Sequence, residues 1–282
     1  MREYPAGALE RVQAIELEML VAFDEVCKQN DLTYCLDGGT CLGAVRHGGF
    51  IPWDDDIDLG MPMEDFLRLT RIADDVLPEG ISFHYSGNSE GFVPLFGKLY
   101  KDGTRFVEDD FVAAGVEEGI FIDIFPYIQI EEGKAGVRRL NKTQSIQKML
   151  YLMANPQPTI LNSLSPRWLF SAGAYVAHGA LKLFTSRKRL EKRYYKLCDT
   201  DVNTGIWANP TAARPFPFGD GIMFPPSQIE FEGVTVNAPG SPQGFLEIVF
   251  GDYLTVPAPE KRHTHAPSVL DFGDGVNVME GR

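Results

Sequence analysis

Four of the five residues from Asp54 to Asp58 are aspartates, in the order Asp54-Asp55-Asp56-Ile57-Asp58. Asp56, Asp58 and Gly60 alternate with Ile57 and Leu59, the period of a strand with one acidic and one apolar face. Carboxylates two apart on a strand share a face, so Asp56 and Asp58 can both reach one or two hard cations through oxygen. Such repulsion on a packed strand is hard to account for unless a cation offsets it. Asp123 is the single polar residue of Ile120-Phe121-Ile122-Asp123-Ile124-Phe125, a run that reads as a buried strand. A buried carboxylate needs a metal or a cationic partner. Upstream, Gly38-Gly39-Thr40 follows a short apolar run. It can bring backbone N–H groups and a hydroxyl close to a phosphate, with a plain tight turn as the alternative.

These groups need a framework. Leu9, Val12, Ile15, Met19, Leu20, Phe23 and Val26 recur at three and four residues and predict a helix ending near Asn30-Asp31. Thr33 to Leu36 reads as a short buried strand, Cys41 to Arg46 as the start of a helix, and His47-Gly48-Gly49 as its break. Glu64 to Val76 is an amphipathic helix stopped by Pro78 and Gly80. Ile81 to Tyr85, Val93 to Tyr100 and Ile120 to Ile124 are strand-like, the last closed by Phe125-Pro126. Interleaved strands and helices indicate an α/β (α+β) fold. The glycine turn, Asp-x-Asp on one strand and a lone aspartate on a later one describe a nucleotidyltransferase-like mixed sheet with flanking helices, whose carboxylates hold Mg²⁺ against a diphosphate or triphosphate. Residues 1–133 form this catalytic core, 134–200 a helical segment, and 201–282 a small irregular C-terminal part packing on the core. In that part Ser227 to Val236 supplies a strand pair and Phe245 to Tyr253 a helix.

Within the helical segment, Arg167 to Arg189 combines Trp168, Leu169, Phe170, Tyr175, Val176, Leu181, Leu183 and Phe184 with basic flanks. Amphipathic helices mostly face a core, so it reads as a core helix of a helical subdomain. Peripheral membrane contact through 167–189 is the alternative. Lys98 is the only cation of a strand-like apolar run and a candidate phosphate ligand, or else it snorkels to solvent. His47 has a minor orienting role. Lys261-Arg262-His263-Thr264-His265 reads as a solvated basic run, with contact to an anionic substrate as the alternative.

The motifs resemble those of the LicD family, whose members are phosphocholine transferases and to which the fukutin group is related. The resemblance rests on Gly39-Thr40, Gly43-Ala44-Val45-Arg46-His47, Gly49-Phe50-Ile51-Pro52-Trp53-Asp54-Asp55-Asp56-Ile57-Asp58 and Gly60-Met61-Pro62. It continues in Phe121-Ile122-Asp123-Ile124-Phe125-Pro126 and, more weakly, in Phe231-Glu232-Gly233 and Phe250 to Pro259. It implies transfer of phosphocholine from a CDP-choline donor to a hydroxyl of a cell-surface glycan or glycolipid precursor, with CMP leaving. Asp56, Asp58 and Asp123 would be the catalytic metal ligands for Mg²⁺, with Mn²⁺ as a substitute. Gly38, Gly39, Thr40, Arg46 and Lys98 would meet nucleotide or phosphate, and His47, Trp53 and Tyr100 would touch substrate. A choline headgroup calls for an aromatic box, for which Trp53, Tyr100, Phe111, Phe125 and Tyr127 stand near the motifs. Alternatives are transfer of ribitol or glycerol phosphate, nucleotidyl transfer, or a non-catalytic nucleotide-binding protein.

With 26 Lys and Arg against 39 Asp and Glu, the net charge of −13 argues against wrapping nucleic acid. The four cysteines form no C-x-x-C pair and read as reduced thiols. The charged N-terminus lacks the apolar run of a signal peptide. Together these predict a cytoplasmic protein, placed at the inner face of the membrane if 167–189 binds there.

Overall fold

The computed structural model describes residues 3–89, 91–108, 118–154, 167–262 and 264–280, with the backbone alone over 167–172. Phe111 and His263 lie outside the described residues, as do the side chains of Trp168, Leu169 and Phe170.

Helix α1 (Ala8–Gln29) turns Val12, Met19, Leu20, Phe23 and Val26 inward, as their spacing predicts. A left-handed Asp31 (φ 51°) reverses the chain into β1 (Cys35–Leu36). Helix α2 (Gly38–His47) begins three residues earlier than the sequence suggests. Asp37 caps it, accepting from the Gly38 N–H at 2.8 Å, so Gly-Gly-Thr is the first helical turn and not a loop before it. Two glycines weaken a helix, but any side chain here would collide with carboxylates. A Cβ at Gly38 would sit 2.8 Å from Asp58 Oδ2, and one at Gly39 2.9 Å from Asp54 Oδ2.

The chain continues through β2 (Ile57–Pro62), α3 (Met63–Val76), β3 (Ile81–His84), β4 (Gly97–Lys101), β5 (Arg105–Val107) and β6 (Phe121–Gln129). The main sheet runs β1-β2-β6-β4-β3, with β7 (Trp207–Ala208) added along β6. Strands β2 and β6 are parallel, while the other pairs are antiparallel. This is the mixed α/β sheet that the sequence indicated. Strand β6 does not stop at Pro126. Pairing with β4 ends at Gly97–Ile124 and pairing with β7 begins at Ile128, so on that side Pro126 faces no ladder partner. Ile57, Leu59, Leu99, Ile122 and Ile124 are fully buried in one core with Met19, Phe23, Phe66 and Leu69 from α1 and α3. Each such side chain contributes about 1.5–3 kcal/mol. Asp58, Lys98 and Asp123 lie among the alternate residues of the same strands.

Helices α4 (Lys134–Ala154), α5 (Arg167–Phe184) and α6 (Arg187–Cys198) follow. Leu140, Ile146 and Leu150 of α4 and Leu190, Tyr194 and Cys198 of α6 are buried. The core-helix expectation fails at Val176, Leu183 and Phe184 of α5, which are exposed. Among the described residues no helix is long and apolar enough to cross a membrane. The C-terminal part supplies the hairpin of β8 (Ser227–Phe231) and β9 (Val234–Ala238), then α7 (Pro242–Phe250). Glu232 at the hairpin tip accepts from the Phe50 N–H at 2.9 Å and fixes the loop after α2. A pairing the sequence did not disclose joins β10 (Val269–Asp271) to β5 and draws residues 264–265 over the acidic motif.

Candidate active site

The sheet register builds the site. Asp58 on β2 lies opposite Asp123 on β6, Asp123 opposite Lys98 on β4, and Lys98 opposite His84 on β3. Directly opposed side chains on one face stand about 5 Å apart, so Asp58, Asp123, Lys98 and His84 form a row across four strands. Asp37 extends it, its N–H donating to the Asp58 carbonyl at 2.9 Å. The Asp37 carboxylate also accepts from the Tyr127 hydroxyl at 2.8 Å. Lys98 does not snorkel. It is buried, pairs with Asp123 at 2.8 Å and lies over the Phe121 ring. Burial alone would lower its pKa, but Asp123 and Glu118 hold it above the ordinary lysine value.

The other acids lack such relief. Burial pushes Asp58 far up, reinforced by Asp56, Asp123, Asp37 and Asp54. Burial raises Asp56 to about 6, with Asp123 and Asp55 adding to it against His265 and Lys98. Asp54 is pushed up to about 7 by burial and by Asp56 and Asp55. Glu16 on α1 is fully buried and neither of its carboxylate oxygens has a hydrogen-bond partner. Burial and then Asp56, Asp55, Asp54 and Asp58 push its pKa far up. Sequence reading missed Glu16, which sits among α1 core positions with no motif around it. Oxygen-rich, mutually repelling and partly orphaned, this donor set suits a hard divalent cation such as Mg²⁺. The donor atoms of Asp56, Asp58 and Asp123 do not all lie within 4.8 Å of one another. Among the described residues, the metal-ligand atoms that all lie within 4.8 Å of one another belong to Asp55, Asp56 and His265.

Asp55 faces the other way. Its carboxylate accepts from the Tyr4 hydroxyl at 2.6 Å, the Thr264 hydroxyl at 2.8 Å and the His265 N–H at 3.0 Å. Against burial, the His265 ring first and then these bonds hold its pKa below the usual range. The His265 ring approaches Asp55 at 3.4 Å and Asp56 at 3.6 Å. Its hydrogen bond to Asp55 is the main cause of a pKa near 9. Arg262 stacks on Trp53 at 4.0 Å. The expectation of a solvated basic run at 261–265 fails for Arg262, Thr264 and His265, which the β5–β10 pairing brings to Trp53 and the acids, while Lys261 is exposed and His263 lies outside the described residues.

The remaining candidates are dispersed. Gly38 and Gly39 border Asp58 and Asp54 at the α2 N-terminus. The Thr40 hydroxyl is buried and accepts from the Asp58 N–H at 2.8 Å, so it shapes the strand entry. Arg46 stands at the far end of α2, where its guanidinium donates to the Tyr253 carbonyl at 3.0 Å, although Asp54 lies within its field. His47 contacts the Trp53 ring edge-on and bonds to Arg46. Trp53 thus lies between His47 and Arg262, and Tyr100 is buried against His84. Phe125 and Tyr127, by contrast, line a cavity of about 200 Å³ that reaches Asp37, Gly38 and Asp58. Asn209, Arg214, Phe216 and Phe218 also line it, none of them among the candidates read from the sequence.

A helix N-terminus and opposed aspartates thus meet on a mixed parallel and antiparallel sheet. Residues 31–148 match the family profile described as LicD/FKTN/FKRP, nucleotidyltransferase domain. Across 277 residues, 91% of this chain and 95% of the relative, it is 27% identical to the lipopolysaccharide cholinephosphotransferase LicD of Haemophilus influenzae. A stretch of 32 residues, 11% of this chain, is 62% identical to the ribitol 5-phosphate transferase FKRP of human and of mouse, covering 6% of those proteins.

Proposed function

We propose that the protein transfers a phospho-alcohol, phosphocholine from CDP-choline, to a hydroxyl of a cell-surface glycan or glycolipid precursor. The observation that carries this reading is the Asp58–Asp123–Lys98 row beside a cavity lined by Phe125, Tyr127, Phe216 and Arg214. The acceptor oxygen forms a bond to the phosphorus bearing choline. The bond from that phosphorus to the CMP oxygen breaks, and CMP departs with the electron pair. The acceptor proton passes to a carboxylate of the row, with Asp123 the member held in place by Lys98. Asp56, Asp58 and Asp123 would hold Mg²⁺ or Mn²⁺, which supplies positive charge to the donor diphosphate. Lys98 places a fixed cation beside the phosphates, and the positive end of α2 at Gly39 and Thr40 suits an anionic oxygen. Arg214 adds a cation at the cavity wall, and the aromatic faces there suit a quaternary ammonium.

Overall similarity to the cholinephosphotransferase supports choline as the alcohol. The short, denser identity to FKRP supports a CDP-ribitol donor as the second reading. Purified protein with Mg²⁺ and a panel of CDP-alcohols, assayed for CMP release with glycan acceptors, separates the two. CMP release with CDP-choline is the expected result. Release with CDP-ribitol alone would replace the first reading by the second, and release with no CDP-alcohol would remove both.

A further inference from the structure

Among the described residues, helix α5 rests on α4 through one side. At about 100° per residue, Ala174, His178 and Leu181 share a side. Ala174 is buried and His178 Nδ1 meets the Leu152 carbonyl at 2.8 Å. The opposite side presents Gly173, Val176, Gly179, Ala180, Leu183 and Phe184, all exposed, with no polar side chain among them. Val176 is 74% exposed and Leu183 and Phe184 77% each, more than any other large apolar side chain among the described residues. A contiguous apolar face of this kind marks an interaction site.

The charge around it is as distinctive. Residues 134–200 contain 13 of the 26 Lys and Arg but only two of the 39 Asp and Glu, Glu191 and Asp199. Where α5 meets α6, Lys182, Lys188 and Arg189 are exposed on either side of Leu183 and Phe184. Lys192, Arg193 and Lys196 continue the exposed basic surface along α6. Arg187 is excluded from it, because its guanidinium is bound to Glu191 and to the Ser86 and Phe92 carbonyls.

We propose that the α5–α6 corner docks the protein on an anionic lipid surface. Val176, Leu183 and Phe184 enter the acyl boundary, and the flanking cations meet headgroup phosphates. The helix lies in the interface and does not cross it, in keeping with its 18 residues and broken apolarity. A second copy of the chain fits less well, because a two-fold contact would set the basic rims against each other. Nucleic acid would use the cations and leave the apolar face open. The proposal does not depend on which phospho-alcohol is transferred, or on whether any is.

Sedimentation with phosphatidylcholine vesicles, with and without phosphatidylglycerol, tests it without substrate or metal. The full chain should sediment with the anionic vesicles, stay in solution with the neutral ones, and be released by high salt. Leu183→Asn with Phe184→Asn, and separately Lys188→Glu with Arg189→Glu, should each weaken binding by about tenfold or more. All four side chains are exposed, so the melting temperature should not move. A wild-type chain that ignores anionic vesicles overturns the proposal, as does an apolar double variant that binds them unchanged. So would a wild-type dimer that the apolar pair of substitutions dissociates, since a second copy would then cover the face.

Discussion

Asp55 and Asp58 are separated by two residues and have opposite fates. The Asp55 carboxylate is wrapped by three donors, from the N-terminal Tyr4 and the C-terminal Thr264 and His265. Asp58 is crowded by four other aspartates on a sheet whose nearby lysine is already paired to Asp123. One region spends its acid on joining distant parts of the chain. The other keeps its acids short of partners, the arrangement that the proposed cation and diphosphate would use. Satisfaction, not residue type, separates the structural carboxylate from those of the candidate site.

The contrast can be broken by substitution. Asp58→Asn should lower turnover by about a thousandfold or more, roughly 4 kcal/mol of barrier, while the melting temperature holds or rises as repulsion is relieved. A near-normal rate would remove Asp58 from the site. Asp55→Ala should do the reverse, costing about 3 kcal/mol in urea unfolding because three donors lose a buried acceptor. Unchanged stability would dissolve the distinction drawn between the two residues.

Proton linkage sharpens it further. Asp54 and Asp56 carry folded pKa values above their ordinary one, so the metal-free fold binds more protons than the unfolded chain and loses stability as pH rises toward 7. His265, raised from 6.5 to about 9, contributes stability below 6.5 that is lost on passing through 9. The lowered pKa of Asp55 acts only near and below pH 4 and does not oppose them. In chelator the melting temperature should therefore fall by roughly 5 °C between pH 5 and 9. Mg²⁺ should raise it more at pH 8 than at pH 5, because ligands must be deprotonated to bind. A flat profile would show that the acids are relieved in some other way. The smallest effect belongs to Thr264→Val, which removes one of the Asp55 donors and should cost about 1 kcal/mol, measurable by urea titration.

The parts of the site legible in sequence were those written in consecutive residues. Alternation about Ile57 put Asp58 on a polar face, and isolation in an apolar run marked Asp123 as buried. Their meeting followed from the parallel β2–β6 register, which no local pattern specifies. The start of α2 was misplaced because helix propensity speaks against Gly-Gly. The reason for those glycines is the approach of Asp54 and Asp58 from elsewhere in the chain. Long-range contacts also hid Glu16, the aromatic wall at 209–218, and His265. The last sits in a basic run that looks solvated until the β5–β10 pairing is known.

The register has a consequence for how the molecule is made. Asp58 and Asp123 meet only when two strands far apart in the chain pair in parallel, a non-local step that is slow in folding. The pairing that joins these strands is also the one that brings the repelling charges together. Divalent cations should act on the rate of folding as well as on the finished protein. Refolding from urea should run faster in Mg²⁺ than in chelator, and equal rates would place the gathering of charge after the rate-limiting barrier.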